Sequence, residues 1–461
     1  MAYTYKEGER KIRPNVYHRY SKMGESRVEA LNGVVALAMA ANWGPVDKVT
    51  SHVTAKSIRD TYGTGASVDA ACTLFDAGVN TVYIKRLSGA NGTAGTQGTA
   101  DIGAAVQLVA KYPSSRTIAV TIREKVGDAT KKEMVVKEGT AILETIEFAV
   151  NETDETAAFM EALNLSSYIT AKKLAAGVIT TGEYELKGTD PVNTTADYAD
   201  AFYALEPYAY NVLVTDSIDP DVFAALCAYA DESEDVGKLI MVVGGDTPST
   251  SLAKRLADAA ACNDERKIYF GGAWLDSDGN KVEGVPAIIY TAGAIAATPS
   301  NKSIVHLVVN GATDVPEKLT NAQYEDAIKH GLLLVSANAE GQVWFDAGMN
   351  TLINPADNQD DGWKKIRRVK TRYELMDRID RTLAPKVGKV NCDADGVAYL
   401  IQCATGVIKE MVAEGKLYSG TFYEDPENPY SGDSAWFIIE VDDIDSLEKI
   451  YLHYRFRYSA E

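Results

Sequence analysis

The last residues of the chain alternate strictly between apolar and polar side chains. Residues 449–459 are KIYLHYRFRYS, which places Ile450, Leu452, Tyr454, Phe456 and Tyr458 on one face. A period of two predicts a β-strand with one buried side. At a chain end, such a strand either closes the protein's own sheet or adds to the sheet edge of another copy. The rest of the sequence favours the second option.

Apolar runs alternate with helical segments in two other stretches. Residues 33–41 and 79–87 predict buried strands on either side of a helix at 67–77. After Asp190-Pro191 the pattern predicts strands at 210–215, 239–243 and 267–270 and helices at 221–230, 251–261 and 285–297. This alternation predicts a doubly wound sheet with parallel strands, which 33–41 and 79–87 are expected to join.

Between these stretches the character of the chain changes. A Gly/Thr/Ala-rich connection follows Ser88, and short alternating segments separated by turns occupy about 104–181. They predict an all-β module inserted into the α/β domain. The final third predicts an α+β region with a helix at 321–330, a hairpin of 332–336 with 343–346, helices at 363–383 and 395–414, and a strand at 435–441.

The predicted fold class is therefore a multidomain α/β and α+β protein with extended N- and C-terminal arms. It contains a doubly wound mixed sheet domain with an inserted all-β module and an α+β C-terminal domain. The expected parts are an arm at 1–30, the α/β domain at 31–88 and 186–345, the inserted β-rich module at 89–185, the C-terminal domain at 346–448 and a terminal strand or arm at 449–461.

Composition excludes several function classes. The 461 residues carry a formal net charge of −19, which argues against broad nucleic-acid binding and against docking on anionic membranes. Apolar stretches are too short for membrane insertion, and the polar N-terminus lacks a secretory signal, so synthesis in a cytoplasm is expected. The five cysteines have no CxxC spacing and predict neither a zinc site nor a disulfide framework.

Candidate catalytic or ligand-binding motifs are weak. Gly244-Gly245-Asp246 follows a predicted strand but lacks both phosphate-loop patterns, and a tight turn is the plainer interpretation. Asp276-Ser277-Asp278-Gly279-Asn280 resembles the start of a calcium loop, but Ala287 stands where the bidentate glutamate is expected. We therefore expect no enzyme, no cofactor and no metal, and an enzyme with a ligand near Gly244 remains the contrasting hypothesis.

Charge is concentrated in blocks. Residues 424–448 contain nine acids and no base, whereas six basic residues crowd into 364–372 on a predicted helix. These are Lys364, Lys365, Arg367, Arg368, Lys370 and Arg372. One interpretation is a solvated face. The other is a basic stripe that docks on an acidic protein surface, including acidic segments of neighbouring copies.

Several segments resemble contractile tail sheath proteins of phages and phage-tail-like bacteriocins, especially those of the Gram-positive type. Residues 32–50, NGVVALAMAANWGPVDKVT, are similar to the family's N-terminal signature. Arg13-Pro14-Asn15-Val16-Tyr17 resembles its Pro-Gly-Val-Tyr, with Asn15 in place of glycine. Residues 301–304, 312–315, 386–391 and 445–451 also match. The resemblance spans nearly the whole chain and is weakest in the inserted module.

This resemblance implies a helical sleeve of identical subunits around an inner tail tube, joined to baseplate and tail terminator proteins. Triggering converts an extended, metastable sleeve into a shorter, wider one that drives the tube through a target envelope, without nucleotide. The protein would be made in the bacterial host cytoplasm and become part of a virion tail or tail-like particle. The alternative is the contractile sleeve of a related injection or secretion system.

The resemblance also implies which residues act. Each subunit would lend its arms to sheets of adjacent subunits, one strand including Tyr3, Tyr5, Ile12, Val16 or Tyr17 and the other Ile450, Leu452, Tyr454, Phe456 and Tyr458. Helix 363–372, with its six basic residues, is expected to face the tube. The inserted module is expected to lie on the outside.

Overall fold

The structure is a computed structural model that describes residues 32–357 and 359–458, together with the backbone of 3–4 and 17–18. The strands are β1 Tyr3–Thr4, β2 Tyr17–His18, β3 Val34–Met39, β4 Val49–His52, β5 Thr81–Arg86, β6 Thr99–Ile102, β7 Val106–Ala110, β8 Ile118–Glu124, β9 Lys131–Glu138, β10 Ala141–Ala149, β11 Ile169–Lys173, β12 Gly182–Leu186, β13 Val212–Thr215, β14 Met241–Gly245, β15 Lys267–Phe270, β16 Ala273–Leu275, β17 Lys281–Glu283, β18 Leu332–Leu333, β19 Val335–Ala337, β20 Val343–Phe345, β21 Leu417–Glu424 and β22 Phe437–Asp443.

The helices alternate with these strands in the central part of the chain and dominate its last third. They are α1 Ala55–Tyr62, α2 Ala66–Asp76, α3 Thr156–Leu163, α4 Thr195–Leu205, α5 Pro220–Asp235, α6 Leu252–Cys262, α7 Val285–Ala297, α8 Asn321–Lys329, α9 Ile366–Leu383 and α10 Ala394–Ala413, with 3₁₀ turns at Asp361–Lys364 and Ala384–Lys386. Within the described ranges, no helix is both long and apolar enough to span a bilayer.

The central domain is built on a seven-stranded sheet in the order β18-β15-β14-β13-β3-β5-β4. Neighbouring strands run parallel, except that β4 is antiparallel to β5. The packing of strand β3 explains why its sequence is continuously apolar. Val35 and Leu37 belong to a core with α2 and α7, while Ala36 and Ala38 belong to a second core with α4 and α5. Helices therefore cover both faces of the sheet.

The Gly244-Gly245-Asp246 segment ends β14, and its glycines are required by close packing. A Cβ on Gly245, where φ is +155°, would lie 1.8 Å from the carbonyl oxygen of Phe270, and one on Gly244 would lie 2.1 Å from the Phe223 ring. The Asp246 carboxylate accepts a hydrogen bond of 2.7 Å from the backbone N–H of Thr247. These contacts account for the segment as a strand end followed by a turn.

Residues 99–186 form two smaller sheets, ordered β10-β9-β8-β12 and β11-β7-β6. The expectation of an all-β module is corrected, because α3 lies over this region. Its Phe159 ring packs edge-on against Phe148 with centroids 4.9 Å apart, and both side chains are buried in a core shared by the two sheets. The chain enters and leaves side by side, through bridges between Thr93 and Val192 and between Thr96 and Thr189.

The last third packs α9 and α10 against the two-stranded antiparallel sheet of β21 and β22. Leu375 and Ile379 of α9 meet Ile408 of α10 and Phe422 of β21 in a separate core. Strand β21 was not predicted from the sequence. The predicted hairpin before this region is present as β19 and β20, while β18 joins the large sheet instead.

Candidate functional site at the root of the C-terminal arm

The C-terminal arm, residues 449–461, is described as far as Tyr458, and the predicted strand at 450–458 is not formed in the single chain. Its apolar side chains are in solvent: Ile450 is 71% exposed, and Phe456 and Tyr458 are each 94% exposed. The option that this segment closes the protein's own sheet is therefore wrong for the described residues. A strand that needs a partner edge has nothing to pair with in one chain.

The segment just before the arm, residues 443–448, is the arm's root, and it is held tightly. The Asp443 carboxylate accepts hydrogen bonds from Arg368 Nε at 2.8 Å and Nη2 at 2.5 Å, and from Arg372 Nε at 3.2 Å. Arg367 donates to the carbonyl of Ile444. The Asp443 side chain is only 6% exposed, so its charge is neutralised largely away from water.

Two further acids of the root are bound to a single lysine. Lys365 Nζ lies 2.6 Å from Asp445 Oδ2 and 3.0 Å from Glu448 Oε2. Glu448 also accepts from Ser303 Oγ at 3.2 Å, which ties the root to the loop that follows α7. The arm thus begins immediately after Glu448, a residue that is bound to two other parts of the chain.

The contacts within the root favour the ionised forms of Asp443 and Lys365. Burial raises the pKa of Asp443, but the hydrogen bonds from Arg368 and the charges of Arg372 and Arg368 outweigh it, so the pKa lies below its usual value. Burial lowers the pKa of Lys365, yet its bonds to Asp445 and Glu448 raise it overall. The root is therefore an array of charge-assisted contacts at neutral pH.

These contacts correct the expectation of a free basic stripe. Besides the three bases bound to the root's carboxylates, Lys370 donates to the carbonyls of Ile295, Ala296 and Thr298 at the end of α7. Lys364 pairs with Asp361 at 3.0 Å. The acidic block after 424 was visible in the sequence, but its pairing with this helix in the same chain was not recognised, because both appeared as separate surface features.

At the other end of the chain, β1 and β2 pair in parallel, with Tyr3 opposite Tyr17 and Thr4 opposite His18. Tyr5, Ile12 and Val16, the other residues assigned to the N-terminal strand, lie outside the described residues. The N-terminal arm is therefore described only through this short backbone pairing.

The motifs with a possible metal or ligand role behave as turns. Asp276 accepts from the backbone N–H of Asp278 and Asn280 at 2.9 and 2.8 Å. The similar but shorter sequence Asp393-Ala394-Asp395-Gly396 begins α10, and Asp393 caps that helix by accepting from the backbone N–H of Gly396 at 2.8 Å. Across the ranges that the structure describes, no cluster of three or more His, Cys, Asp or Glu side chains is arranged to hold a metal ion.

Comparison with known proteins places this architecture. Residues 192–351 match the family model described as the phage tail sheath protein central domain. The phage-like element PBSX protein XkdK of Bacillus subtilis is 23% identical, over 98% of both chains. The sheath tail protein of Desulfitobacterium hafniense has a similar crystal structure, with a TM-score of 0.71 and 18% identity over 93% of this chain and 100% of that one.

A contractile assembly shows the same fold. The helical sheath of the anti-feeding prophage, solved in its contracted state, is similar with a TM-score of 0.57 and 12% identity, over 96% of this chain and 98% of that one. These likenesses confirm the resemblance found in the sequence. Residues 192–351 thus match a phage tail sheath central domain, and the chain as a whole has the fold of tail sheath proteins.

Proposed function

We propose that this protein assembles helically around an inner tail tube in a metastable extended state and contracts to drive the tube through a target cell envelope. The observation that carries the proposal is the C-terminal arm, whose root is held by buried ion pairs while its alternating apolar residues are exposed. Such an arm is built to complete a sheet on another copy. Tight contacts at the root let the arm keep its connection while subunits move as rigid bodies.

The acceptor we propose is the two-stranded sheet of β21 and β22 in the next subunit. Each of its strands has an edge that no described residue pairs. Exposed acids line this sheet and its connecting loop, at Glu427, Asp433 and Glu440, whereas residues 449–458 carry Lys449, Arg455 and Arg457 and no acid. The complementary charges set register, and the head-to-tail contact generates a helix rather than a closed pair.

We infer that the other partners are the tube protein, the baseplate and the tail terminator, with no nucleic acid, no catalysis and no membrane insertion. Solved relatives support the baseplate contact, since the anti-feeding prophage baseplate is among the similar structures. Synthesis in the host cytoplasm before incorporation into a tail or tail-like particle follows from the same role. A sleeve of a related injection or secretion system is the second candidate, since an extracellular contractile injection system sheath is also among the similar structures.

Negative-stain electron microscopy of the concentrated full-length protein tests assembly directly. We expect hollow, cross-striated tubes of one diameter, because the contracted lattice is the lower free-energy state of the subunits. The sample is compared with the same protein mixed with purified tail tubes. Discrete globular particles in both samples would contradict the sheath function.

We propose that the start of α9 and the preceding 3₁₀ turn face the tube, which makes Lys364 the informative residue. Its only described ion pair is with Asp361, a side chain that is 88% exposed, so the residue is not part of the root's buried array. Lys364→Glu is expected to weaken tube binding several-fold at low salt, because it reverses a charge that is partly exposed. Sedimentation with tail tubes measures this, and Lys329→Glu at an exposed position of α8 is the control. Equal binding by the two variants would remove α9 from the tube interface.

A further inference from the structure

A cleft of about 360 Å³ separates the central domain from α9. One wall is formed by the chain leading into β13, from Pro207 to Asn211, and by the turn before β14. The opposite wall is the outward side of α9, from Lys370 to Arg381. Asn32, which also lines the cleft, is the first residue of the continuously described chain. Residues 1–31 are therefore joined to the domain at the cleft.

Two polar atoms in residues of this wall lack partners. The Tyr373 hydroxyl and Asp377 Oδ2 are buried, and neither has a hydrogen-bond partner among the described residues. Burial raises the pKa of both groups. Because a buried polar group without a partner is costly, a donor for Asp377 and an acceptor for Tyr373 are expected from a further chain segment. An extended main chain supplies both groups.

Two basic side chains of α9 line the cleft and already have partners, since Lys370 is bound to backbone carbonyls and Arg381 pairs with Asp377 Oδ1 at 2.9 Å. The remaining surface on this wall is apolar and acidic. Met376 is 43% exposed between the two orphaned groups along α9, and the carboxylate of Asp380 lies at an exposed position one turn further on. The lysine of the opposite wall is already occupied, since Lys238 Nζ donates to the carbonyls of Glu206 and Tyr208 at 2.6 and 2.9 Å. The cleft therefore suits an extended segment with apolar and basic side chains.

Residues 19–31, RYSKMGESRVEAL, have this chemistry and are tethered to the cleft through Asn32. They contain Arg19, Lys22 and Arg27 for the acidic side and Met23, Val28 and Leu31 for the apolar side. Tethering through one residue gives such a segment an effective concentration in the millimolar range, far above that of a neighbouring chain in dilute solution.

We propose that the cleft between the central domain and α9 is the seat of residues 19–31 of the same chain. Docking there satisfies Tyr373 and Asp377, covers Met376 and fixes the direction in which the N-terminal arm leaves the subunit. The two arms then start from opposite ends of one helix, since α9 holds the C-terminal root at its beginning and the N-terminal segment near its end. This inference concerns the isolated chain and does not depend on assembly into a sleeve.

Photo-crosslinking in the full-length protein tests the proposal. A benzophenone amino acid replaces Met376, and an equimolar mixture of ¹⁴N- and ¹⁵N-labelled chains is irradiated in dilute solution and digested for mass spectrometry. We expect crosslinks to peptides within 19–31 in which both halves carry the same isotope. Crosslinks of mixed isotope would assign the cleft to the arm of a second copy and overturn the proposal, as would the absence of crosslinks to residues 19–31.

The matched control carries the same photoreactive group at Tyr399 of α10, which is 42% exposed and lies outside the cleft. It is expected to give no crosslinks to 19–31. Adding Asp380→Lys to the Met376 probe should reduce the yield several-fold, whereas Glu410→Lys, an exposed position of α10, should leave it unchanged. An equal yield in the two charge variants would show that the segment is not held by the acidic side of the cleft.

Discussion

Deleting residues 449–461 is expected to give a folded, soluble chain that no longer forms sleeves. The described part of this segment contributes no strand and no core residue to its own subunit, and the root at 443–448 stays in place. On a neighbouring sheet, burial of Leu452, Tyr454 and Phe456 alone would contribute about 5 kcal/mol or more per contact. Its loss weakens each contact by a factor of roughly 5 × 10³ or more. Size-exclusion chromatography with light scattering, circular dichroism and negative-stain microscopy measure the outcome.

Two sets of substitutions test whether assembly depends on the apolar face of the arm, because both keep the length of the chain unchanged. Replacing Leu452, Tyr454 and Phe456 with Ser removes the apolar face and should abolish assembly as the deletion does. Replacing Tyr451 and His453 with Ser changes the opposite face, keeps the basic residues and should leave sleeves intact at moderate salt. Ordered sleeves from the truncated chain, or equal effects of the two sets, would contradict strand addition by this arm.

The central domain could be predicted from sequence because its signals are local. Strand Val34–Met39 is a short apolar run, and helix Val285–Ala297 is a continuous apolar segment that is buried nearly all round. A strand covered by helices on both faces must be apolar at every position, so the pattern itself implies the environment. The terminal alternation is also a local signal, but its described residues form no strand in the single chain, and its pairing with another copy stays a prediction.

Elements that depend on distant partners could not be predicted. Strand β21 contains Ser419 and Gly420, which interrupt its alternation, and only pairing with β22 makes it a strand. The six-base helix and the acidic block were both recognised, but Arg368 and Asp443 are 75 residues apart and their contact is set by the packing of α9 against β22. Charge along a sequence does not distinguish a surface for a partner from a contact within the chain.

Asp443→Ala is expected to destabilise the C-terminal domain by about 2–4 kcal/mol and to reduce assembly. The change leaves the guanidinium groups of Arg368 and Arg372, whose side chains are 19% and 13% exposed, without their buried partner. Removing one member of a buried ion pair costs about 3–5 kcal/mol, and Asp360, 3.0 Å from Arg372, compensates part of it. Urea denaturation followed by circular dichroism measures the difference.

The stabilising contribution of Asp443 is expected to decrease as the pH falls. Because the folded-state pKa of Asp443 is lowered, its stabilising contribution is fully present above the unfolded value of about 3.9 and is lost as the pH falls through the folded value. The stability difference between the wild type and Asp443→Ala should therefore be constant from pH 7 to 5 and shrink below about pH 4. A difference that already disappears near pH 6 would mean that another group holds the root.

Asp361→Ala is the matched control, since it removes a carboxylate from a pair with Lys364 in the same region. That carboxylate is 88% exposed, so the expected change is within about 0.5 kcal/mol. If both variants fold but only Asp443→Ala loses assembly, the ion pairs of Asp443 with α9 are needed to hold the arm in the position from which it reaches its acceptor. Equal assembly by the two variants would show that the arm reaches its acceptor without a fixed root, and the ion pairs would then serve only the stability of the subunit.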